Sequence, residues 1–241
     1  MLPKEISSLQ HPIVKHALKV RTDKAYRTAE SEVLIAGFKL VREVAPLKAL
    51  FVLPGTPLVP ADQVYTVTED ILKKITGLMH PEPIAALTAM PEESSLTGAR
   101  FLLALDQVSD PGNVGTLLRT ALALGWEGAF LTEGSADPFN DKALRAAKGA
   151  TFRLPFRTGT AQELLALARS NKMRLLLADV GGSPLSASKE NTLLVLGSEA
   201  KGASQALKDQ CEAITIPMSG KMESLNVACA GAILMYAVNH G

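Results

Sequence analysis

Three loops in the second half of the chain carry polar side chains where a predicted strand ends and a predicted helix begins. The first loop spans residues 106–115 and leads into a segment whose one charged side chain is Arg119. A buried guanidinium without a partner is costly, so we expect Arg119 to pair with a carboxylate or to face a ligand. The turn sequence 110–113 favours a structural turn with Asn113 as helix N-cap, although Asn113 also suits a binding role.

The second loop spans residues 196–204 and places glycines on both sides of Glu199 and Lys201. Glu199 is either a solvated loop acid or a group that binds a ligand. The loop lacks the G-x-x-x-x-G-K-[ST] pattern of a phosphate-binding loop, and no G-x-G-x-x-G follows a predicted strand. Nucleoside triphosphatases and ordinary dinucleotide-dependent enzymes therefore lose their main sequence support.

The third segment runs from a predicted strand at 213–216 into a predicted helix at 225–238, with Ser224 and Asn226 at the helix start. Backbone N–H groups and short polar side chains at such a start can hold an oxygen-rich ligand, and simple capping of the helix is the alternative. Small residues at 228 and 230–232 allow this helix to pack closely within the chain or at a subunit interface.

The elements that must position these loops alternate between apolar runs and helical patterns. We predict strands at 101–105, 128–132, 174–179, 192–196 and 213–216, and helices at 114–124, 142–148, 162–170, 204–210 and 225–238. Continuous apolar strands alternating with helices are typical of a mostly parallel sheet covered on both faces. The ligand site of such a sheet lies at the carboxyl ends of its strands, here in the loops after 105, 179, 196 and 216.

The first 90 residues predict a smaller α/β unit, with strands at 32–36, 50–53, 64–68 and 84–88 and helices at 38–44 and 69–75. A polar Pro/Ser/Gly stretch at 90–98 is typical of a linker, so we place the domains at 1–97 and 98–241. Two basic sets form either RNA-facing patches or solvated faces. They are Lys15, Lys19, Arg21, Lys24 and Arg27 in the first domain, and Lys142, Arg145, Lys148, Arg153 and Arg157 in the second.

The composition limits the class of protein. The 241 residues are 47% apolar and 20% charged with a net charge of +1, which excludes a disordered, fibrous or uniformly basic chain. Cys211 and Cys229 are too few for a disulfide framework or a cysteine-based zinc site, and they favour a reducing compartment. Residues 1–10 lack the apolar core of a signal peptide, and the uncharged apolar stretch 227–238 is too short to cross a bilayer. We expect a cytoplasmic protein.

The three loops together resemble a known family. Asp110-Pro-Gly-Asn-Val-Gly115 with Arg119, Leu196-Gly-Ser-Glu199 with Gly202, and Ile216-Pro-Met218 with Ser224-Leu-Asn-Val227 occur in this order. They resemble motifs 1, 2 and 3 of the SpoU (TrmH-type) RNA ribose 2′-O-methyltransferases of the SPOUT superfamily. The resemblance covers 98–241 closely, and the first 90 residues resemble, less closely, the family's substrate-binding domain. Ala147 departs from the pattern, because the family often has Ser there, and puts one hydrogen bond to RNA or in the active site in doubt.

The resemblance implies a fold that periodicity does not show: an α/β, SPOUT-type, mostly parallel sheet with a C-terminal trefoil knot, preceded by a small α/β RNA-binding domain. It implies S-adenosyl-L-methionine as the cofactor, bent against the knotted loops. The residues expected to bind it are Ala178, Leu196, Gly197, Ile216, Pro217, Met218, Ser224 and Leu225.

The resemblance also implies methyl transfer to a ribose 2′-hydroxyl of structured RNA, without a metal, by a homodimer formed through the C-terminal domain. Ribosomal RNA of the 23S type is favoured over tRNA. The implied catalytic residues are Asn113, Arg119, Glu199, Ser224 and Asn226. Arg119 is the proposed activator of the hydroxyl, but a guanidinium keeps its proton at neutral pH, so positioning and phosphate neutralisation are the better account.

Two other functions stay open at this point. A non-catalytic RNA-binding protein could keep the same fold, and a reductase could use a Rossmann-like sheet although its usual phosphate motif is missing. Stabilisation by S-adenosylhomocysteine, but not by NAD or ATP, in a thermal-shift assay favours the methyltransferase over both.

Overall fold

The computed structural model describes residues 3–185 and 190–240. The chain divides into two compact units. The first comprises the residues up to Glu92 together with the separate segment Phe139–Leu144, and the second comprises Glu93–Pro138 and the residues from Arg145 onward. The predicted boundary at 97/98 falls five residues later than this division. Residues 93–97 group with the second unit because their polar groups bond there: the Ser94 N–H donates to the Phe156 carbonyl (2.8 Å), and the Asn171 side chain donates to the Leu96 carbonyl (2.9 Å).

The first unit is built on a five-stranded sheet. Its elements are β1 (Lys4–Ile6), α1 (Pro12–Thr22), α2 (Lys24–Glu30), β2 (Glu32–Ala36), α3 (Phe38–Glu43), β3 (Leu47–Val52), β4 (Gln63–Val67), α4 (Glu69–Thr76) and β5 (Ile84–Ala89). The strand order is β1-β4-β3-β5-β2, and β5 runs antiparallel to both of its neighbours. Apolar side chains of α1 and α4 pack against the sheet, Val20 and Ile75 among them. The predicted strands and helices are confirmed, while β1 is an addition because three residues give no periodicity.

One member of the N-terminal basic set is a core residue. Arg27 is buried, and its Nη1 donates to the carbonyls of Val20 (2.6 Å) and Arg21 (3.1 Å) at the end of α1. Arg21 forms an ion pair with Asp141 (3.6 Å). The exposed lysines of the set are Lys15, Lys19 and Lys24. Arg27 was therefore wrongly assigned to a surface patch, because carbonyls at a helix end can recruit a long basic side chain inward.

The second unit contains the predicted parallel sheet. Its elements are β6 (Phe101–Asp106), α5 (Pro111–Ala123), β7 (Gly128–Thr132), the last three residues of α6 (Asp141–Ala147), β8 (Phe156–Gly159), α7 (Ala161–Ser170), β9 (Arg174–Pro184), β10 (Thr192–Gly197), α8 (Gln205–Lys208), β11 (Glu212–Thr215) and α9 (Val227–His240); the first four residues of α6 group with the first unit. The described strands have the order β11-β9-β10-β6-β7-β8, and neighbours are parallel. β8 is an addition to the prediction, since its four residues follow a proline and include Arg157.

The order of the strands creates a place for a ligand. From β6 the chain builds outward through β7 and β8, then returns to the other side of β6 to form β9, β10 and β11. Ligands of open α/β sheets bind where the strand order reverses, at the carboxyl ends. Here the order reverses between β6 and β10, where Asp106 is in register with Gly197, so the carboxyl end of β10 is expected to belong to the site.

Helix α9 packs against α5 and β10 through a glycine. A Cβ atom on Gly231 would lie 2.5 Å from Leu117 Cδ2 and 2.6 Å from Leu196 Cδ1, closer than carbon atoms can approach. The small residues predicted to allow close packing therefore do so within the chain. Among residues 3–185 and 190–240, no helix has both the length and the apolar character needed to cross a bilayer.

Candidate functional site

The loop after β6 presents Asn113 from inside the first turn of α5. Pro111 is the first residue of the helix, and Asp110 is its N-cap, with Oδ1 accepting the Asn113 N–H (2.9 Å). The expectation that Asn113 caps this helix is wrong, because proline favours the first helical position and moves the cap to the residue before it. The Asn113 side chain is thereby released, and its Nδ2 donates to Glu199 Oε1 (2.6 Å).

The loop after β10 is held closed at its base and displays Glu199. Ser198 and Gly202 exchange two backbone hydrogen bonds (2.8 and 3.1 Å) across it. A Cβ atom on Gly197 would lie 2.4 Å from the Ala203 nitrogen, so this approach requires glycine. Below the loop, the buried Asp106 carboxylate accepts the Ser204 N–H (2.6 Å) and the Thr132 hydroxyl (2.7 Å).

Asn226 links the start of α9 to the other two loops. Its Oδ1 accepts the backbone N–H groups of Ala228 (2.9 Å) and Cys229 (3.3 Å), which is helix capping. Its Nδ2 donates to Asn113 Oδ1 (3.2 Å). Asn226 therefore caps α9 with its amide oxygen and joins Asn113 with its amide nitrogen, while a contact with a ligand stays a prediction.

These contacts form one directional chain, which we call the amide relay: the α9 start donates to Asn226, Asn226 to Asn113, and Asn113 to Glu199. A carboxylate only accepts, so the Asn113 amide nitrogen faces Glu199 and its oxygen faces Asn226. The relay fixes one oxygen of Glu199 and leaves the other for a further partner. Three loops are held together in this way, with Asn113 lying 86 residues before Glu199 and 113 residues before Asn226 in the chain.

A cavity of about 450 Å³ lies against the relay, at the carboxyl ends of β9, β10 and β11. Seven of the eight residues predicted to bind the cofactor line it: Ala178, Leu196, Gly197, Ile216, Met218, Ser224 and Leu225. Pro217 lies between two of them and is not a lining residue. Of the predicted catalytic residues, Glu199, Ser224 and Asn226 line the cavity, and Asn113 reaches it through its two hydrogen bonds.

Arg119 stands apart from the cavity. It is exposed on α5, six residues after Asn113, or about 9 Å along the helix axis at 1.5 Å per residue. In the part of the chain that the structure describes, no carboxylate pairs with it. The argument from burial is wrong here, since an exposed guanidinium keeps its hydration. Asn113, Thr116 and Arg119 follow one another at three-residue spacing, which forms a slanting row along α5.

Two sequence expectations change near the site. Arg157 belongs to the second basic set but pairs with Glu163 (3.3 Å) and lies over the Phe130 ring (5.9 Å), which leaves four exposed members: Lys142, Arg145, Lys148 and Arg153. Ala147 is 1% exposed and does not line the cavity. A serine at this position would face the core, so the departure changes packing and not a hydrogen bond to RNA.

Sequence reasoning missed several residues of the site. Six further residues line the cavity: Asp179, Val180, Ser198, Ile214, Thr215 and Val227. Ser198 and Val227 lie inside the quoted motifs, positions 214–215 precede one, and positions 179–180 lie where a site loop was expected, so each carried a signal. Asp106 was missed altogether. An acid that ends an otherwise apolar strand was a visible signal for it, but its partners Ser204 and Thr132 come from other loops and have no sequence signature.

The chain is similar to proteins of known family over most of its length. The model of the SpoU rRNA Methylase family matches residues 100–236. The 23S rRNA (guanosine(2553)-2′-O)-methyltransferase RlmP of Bacillus subtilis (strain 168) is 35% identical over 246 residues, covering 97% of this chain and 98% of the relative.

Solved structures give the same result for the fold. An AdoMet-bound rRNA methyltransferase from Sinorhizobium meliloti superposes with a TM-score of 0.86 at 26% identity, covering 97% of this chain and 96% of that one. The SpoU methyltransferase AviRb from Streptomyces viridochromogenes, in complex with AdoMet, has a TM-score of 0.85 at 23% identity and covers 95% and 97% of the two chains. The second likeness concerns the fold alone.

Proposed function

This chain belongs to the SpoU rRNA methylase family and is an S-adenosylmethionine-dependent RNA 2′-O-methyltransferase, and we propose that its substrate is a guanosine of 23S-type ribosomal RNA. The full-length similarity to the B. subtilis enzyme supports this choice of RNA. The amide relay beside the cavity is the observation that carries the assignment of the site. The family's C-terminal knot and a cytoplasmic location, where ribosomal RNA is available, are part of the same proposal.

The cavity fits the cofactor. Its volume of about 450 Å³ lies within the range of small-molecule sites, which are mostly apolar with a few placed polar groups. Leu196, Met218 and Leu225 offer apolar contacts for a purine, while backbone and hydroxyl groups near Ser198 and Ser224 offer hydrogen bonds. Gly197 lets the backbone of the wall approach closely, because a side chain there has no space.

S-adenosylmethionine, when bound, supplies an electrophilic methyl group. The ribose hydroxyl is a poor nucleophile, and the protein accelerates its attack mainly by holding it in line. We assign this positioning to Glu199, whose orientation the amide relay fixes, with Ser224 and Asn226 at the cavity wall. Arg119, at the far end of the row on α5, neutralises an RNA phosphate and draws the ribose toward the relay.

RNA affinity comes from exposed basic side chains. They are the exposed members of the two basic sets: Lys15, Lys19 and Lys24, and Lys142, Arg145, Lys148 and Arg153. Contacts of this kind bind phosphates without reading sequence, and they supply most of the salt dependence of binding. We therefore assign the first unit to RNA binding and the second to methyl transfer.

We further propose that a second copy of the chain covers the outer face of α9. Ile233 is 46% and Tyr236 55% exposed, and together with Cys229 they form one stripe, while Leu234 and Met235 point into the unit. An apolar stripe exposed on a helix favours association. Ile233→Glu should lower the mass measured by light scattering from that of a dimer to that of a monomer, whereas Leu58→Glu on the first unit should not.

The experiment that tests the substrate uses purified protein, methyl-labelled S-adenosylmethionine, and two RNA preparations, 23S rRNA and tRNA, from cells that lack the protein. We expect label in one nucleotide of 23S rRNA, identified by digestion and nucleoside mass spectrometry as a 2′-O-methylated guanosine. Label confined to tRNA would refute the choice of RNA. Binding of S-adenosylhomocysteine without transfer to either RNA would instead support the non-catalytic alternative.

A further inference from the structure

Gln107 has a left-handed backbone that no helix end explains. Among the described residues, five positions other than glycine have positive φ: Ser31, Leu96, Gln107, Lys148 and Lys172. Ser31 and Lys148 directly follow the ends of α2 and α6, and Lys172 is the second residue after α7, where this conformation commonly terminates a helix. Leu96 is buried. Gln107, with φ of 58°, is exposed and follows strand β6.

The residues around Gln107 impose its backbone conformation. Asp106 is fixed below by Ser204 and Thr132, and the Gln107 N–H donates to Thr132 Oγ1 (3.1 Å). On the other side, Val108 is fully buried and its carbonyl accepts the Ala136 N–H (2.9 Å). With both neighbours held inside, the chain bends at Gln107 and directs its side chain outward. Backbone strain of this kind is concentrated at functional sites.

The outward side chain lies at the edge of the sheet that carries the site. Gln107 is one residue beyond the Asp106–Gly197 pair, and parallel strands are about 4.8 Å apart. Gly197 lines the cavity, and the loop that begins at Gln107 leads to Asn113 of the amide relay. On its other flank the Gln107 side chain runs beside Gly134, where an added Cβ would lie 3.2 Å from Gln107 Cγ.

We propose that the Gln107 carboxamide contacts the edge of a nucleobase next to the methylated ribose and so contributes to the choice of nucleotide. The inference rests on the proposed function of the site. The side chain is neutral and both donates and accepts hydrogen bonds, which suits a base edge and does not suit the neutralisation of a phosphate. Its loss should therefore change selectivity more than the salt dependence of binding.

A pair of glycine variants separates this role from packing. Gln107→Gly and Lys172→Gly each remove one exposed side chain from a left-handed position, and Lys172 lies before β9, at the opposite edge of the sheet. Both variants should keep the affinity for S-adenosylhomocysteine, and both should raise the melting temperature by about 2 to 4 °C, because glycine adopts this backbone without strain.

Only Gln107→Gly should affect RNA recognition. For binding of the 23S rRNA fragment to protein loaded with S-adenosylhomocysteine, we expect the Kd to rise about tenfold, with an unchanged slope against salt. In single-turnover assays with the target base and each neighbour replaced in turn, the wild type should reject at least one replacement about tenfold more strongly than Gln107→Gly does. Lys172→Gly should match the wild type in both assays.

The proposal is overturned if Gln107→Gly binds RNA and ranks the base replacements as the wild type does. A fall in melting temperature or in cofactor affinity for Gln107→Gly would also overturn it, since the side chain would then be a packing residue. Failure of the wild type to methylate the fragment would count against the proposed function, and the RNA-binding comparison of the two variants would still decide the role of Gln107.

Discussion

Asp106 offers the sharpest test of how the site is built, because one buried carboxylate holds two loops. It is 1% exposed, and its two oxygens accept the Ser204 N–H at 2.6 Å and the Thr132 hydroxyl at 2.7 Å. Ser204 ends the loop that displays Glu199, and Thr132 ends β7. Removal of the carboxylate should therefore lower both the stability of the second unit and its affinity for the cofactor.

The size of the effect follows from the two donors. A buried donor left without an acceptor costs about 1 to 3 kcal/mol. Asp106→Ala leaves the Ser204 N–H and the Thr132 hydroxyl without their acceptor, although the hydroxyl can rotate toward another partner. We therefore expect a loss of about 2 to 4 kcal/mol in the free energy of unfolding. Asp106→Asn keeps an acceptor for the Ser204 N–H and can turn its N–H₂ toward the Thr132 oxygen, which also accepts, so we expect a smaller loss of about 1 kcal/mol.

Trp126 provides the assay, since it is the single tryptophan of the chain and lies buried in the second unit. Its fluorescence during urea unfolding reports that unit, and calorimetric titration with S-adenosylhomocysteine reports the cavity. Ser204→Ala is the matched control. The Ser204 hydroxyl is buried and, within the described chain, has no hydrogen-bond partner, while the backbone N–H stays in place. This control should change stability by less than about 0.5 kcal/mol. Equal losses for Asp106→Ala and Ser204→Ala would show that the Asp106 carboxylate does not hold the two loops.

Three further predictions concern other parts of the protein. Arg119→Ala should lower the rate of single-turnover methyl transfer by at least ~100-fold and leave the Kd for S-adenosylhomocysteine unchanged. Arg119→Lys should not restore the rate, because an ammonium is a point charge and lacks the planar fork of a guanidinium. A rate near that of the wild type would contradict this role. Burial, with a smaller contribution from the Asp106 charge, raises the pKa of the Cys211 thiol to about 11, so on the order of one molecule in a thousand carries its thiolate at pH 8. In the Ile233→Glu variant, which leaves the outer face of α9 uncovered, iodoacetamide should therefore modify the exposed Cys229 before Cys211, as peptide mass spectrometry would show, and faster labelling of Cys211 would contradict the packing. A triple alanine variant can be made at the exposed lysines Lys15, Lys19 and Lys24. It should lower the slope of log Kd for RNA against log salt by about 0.7 to 0.9 for each phosphate contact that is lost. An unchanged slope would assign these residues to a solvated face.

The sequence predicted the sheet of the second unit because local physics determines it. Buried parallel strands such as β6 and β10 need continuous apolar runs, and helices between them bring the carboxyl ends of the strands to one edge. The strand order β11-β9-β10-β6-β7-β8 was not predictable in this way, because it depends on how β10 returns beside β6. The short strands β1 and β8 carry too few residues for a period.

The candidate site was predictable as a set of loops but not as a set of contacts. Motif spacing brought Glu199 and Asn226 to notice, yet only the folded chain shows that Asn113 stands between them as donor and acceptor. Hydrogen-bond direction depends on three loops at once. The sequence pattern also did not show which side chains are buried. Arg27 has the residue type and spacing of a surface patch, but its side chain donates hydrogen bonds to carbonyls at the end of α1.

Methylation of the ribose hydroxyl can be tested with a synthetic RNA that carries 2′-deoxyguanosine in place of the target guanosine. We expect this RNA to bind the protein with nearly the Kd of the unmodified RNA, since phosphates and bases supply the affinity. We expect no transfer of labelled methyl, because the accepting hydroxyl is gone. Transfer to the deoxy RNA at the rate of the unmodified RNA would instead place the methyl group on a base and rule out 2′-O-methylation.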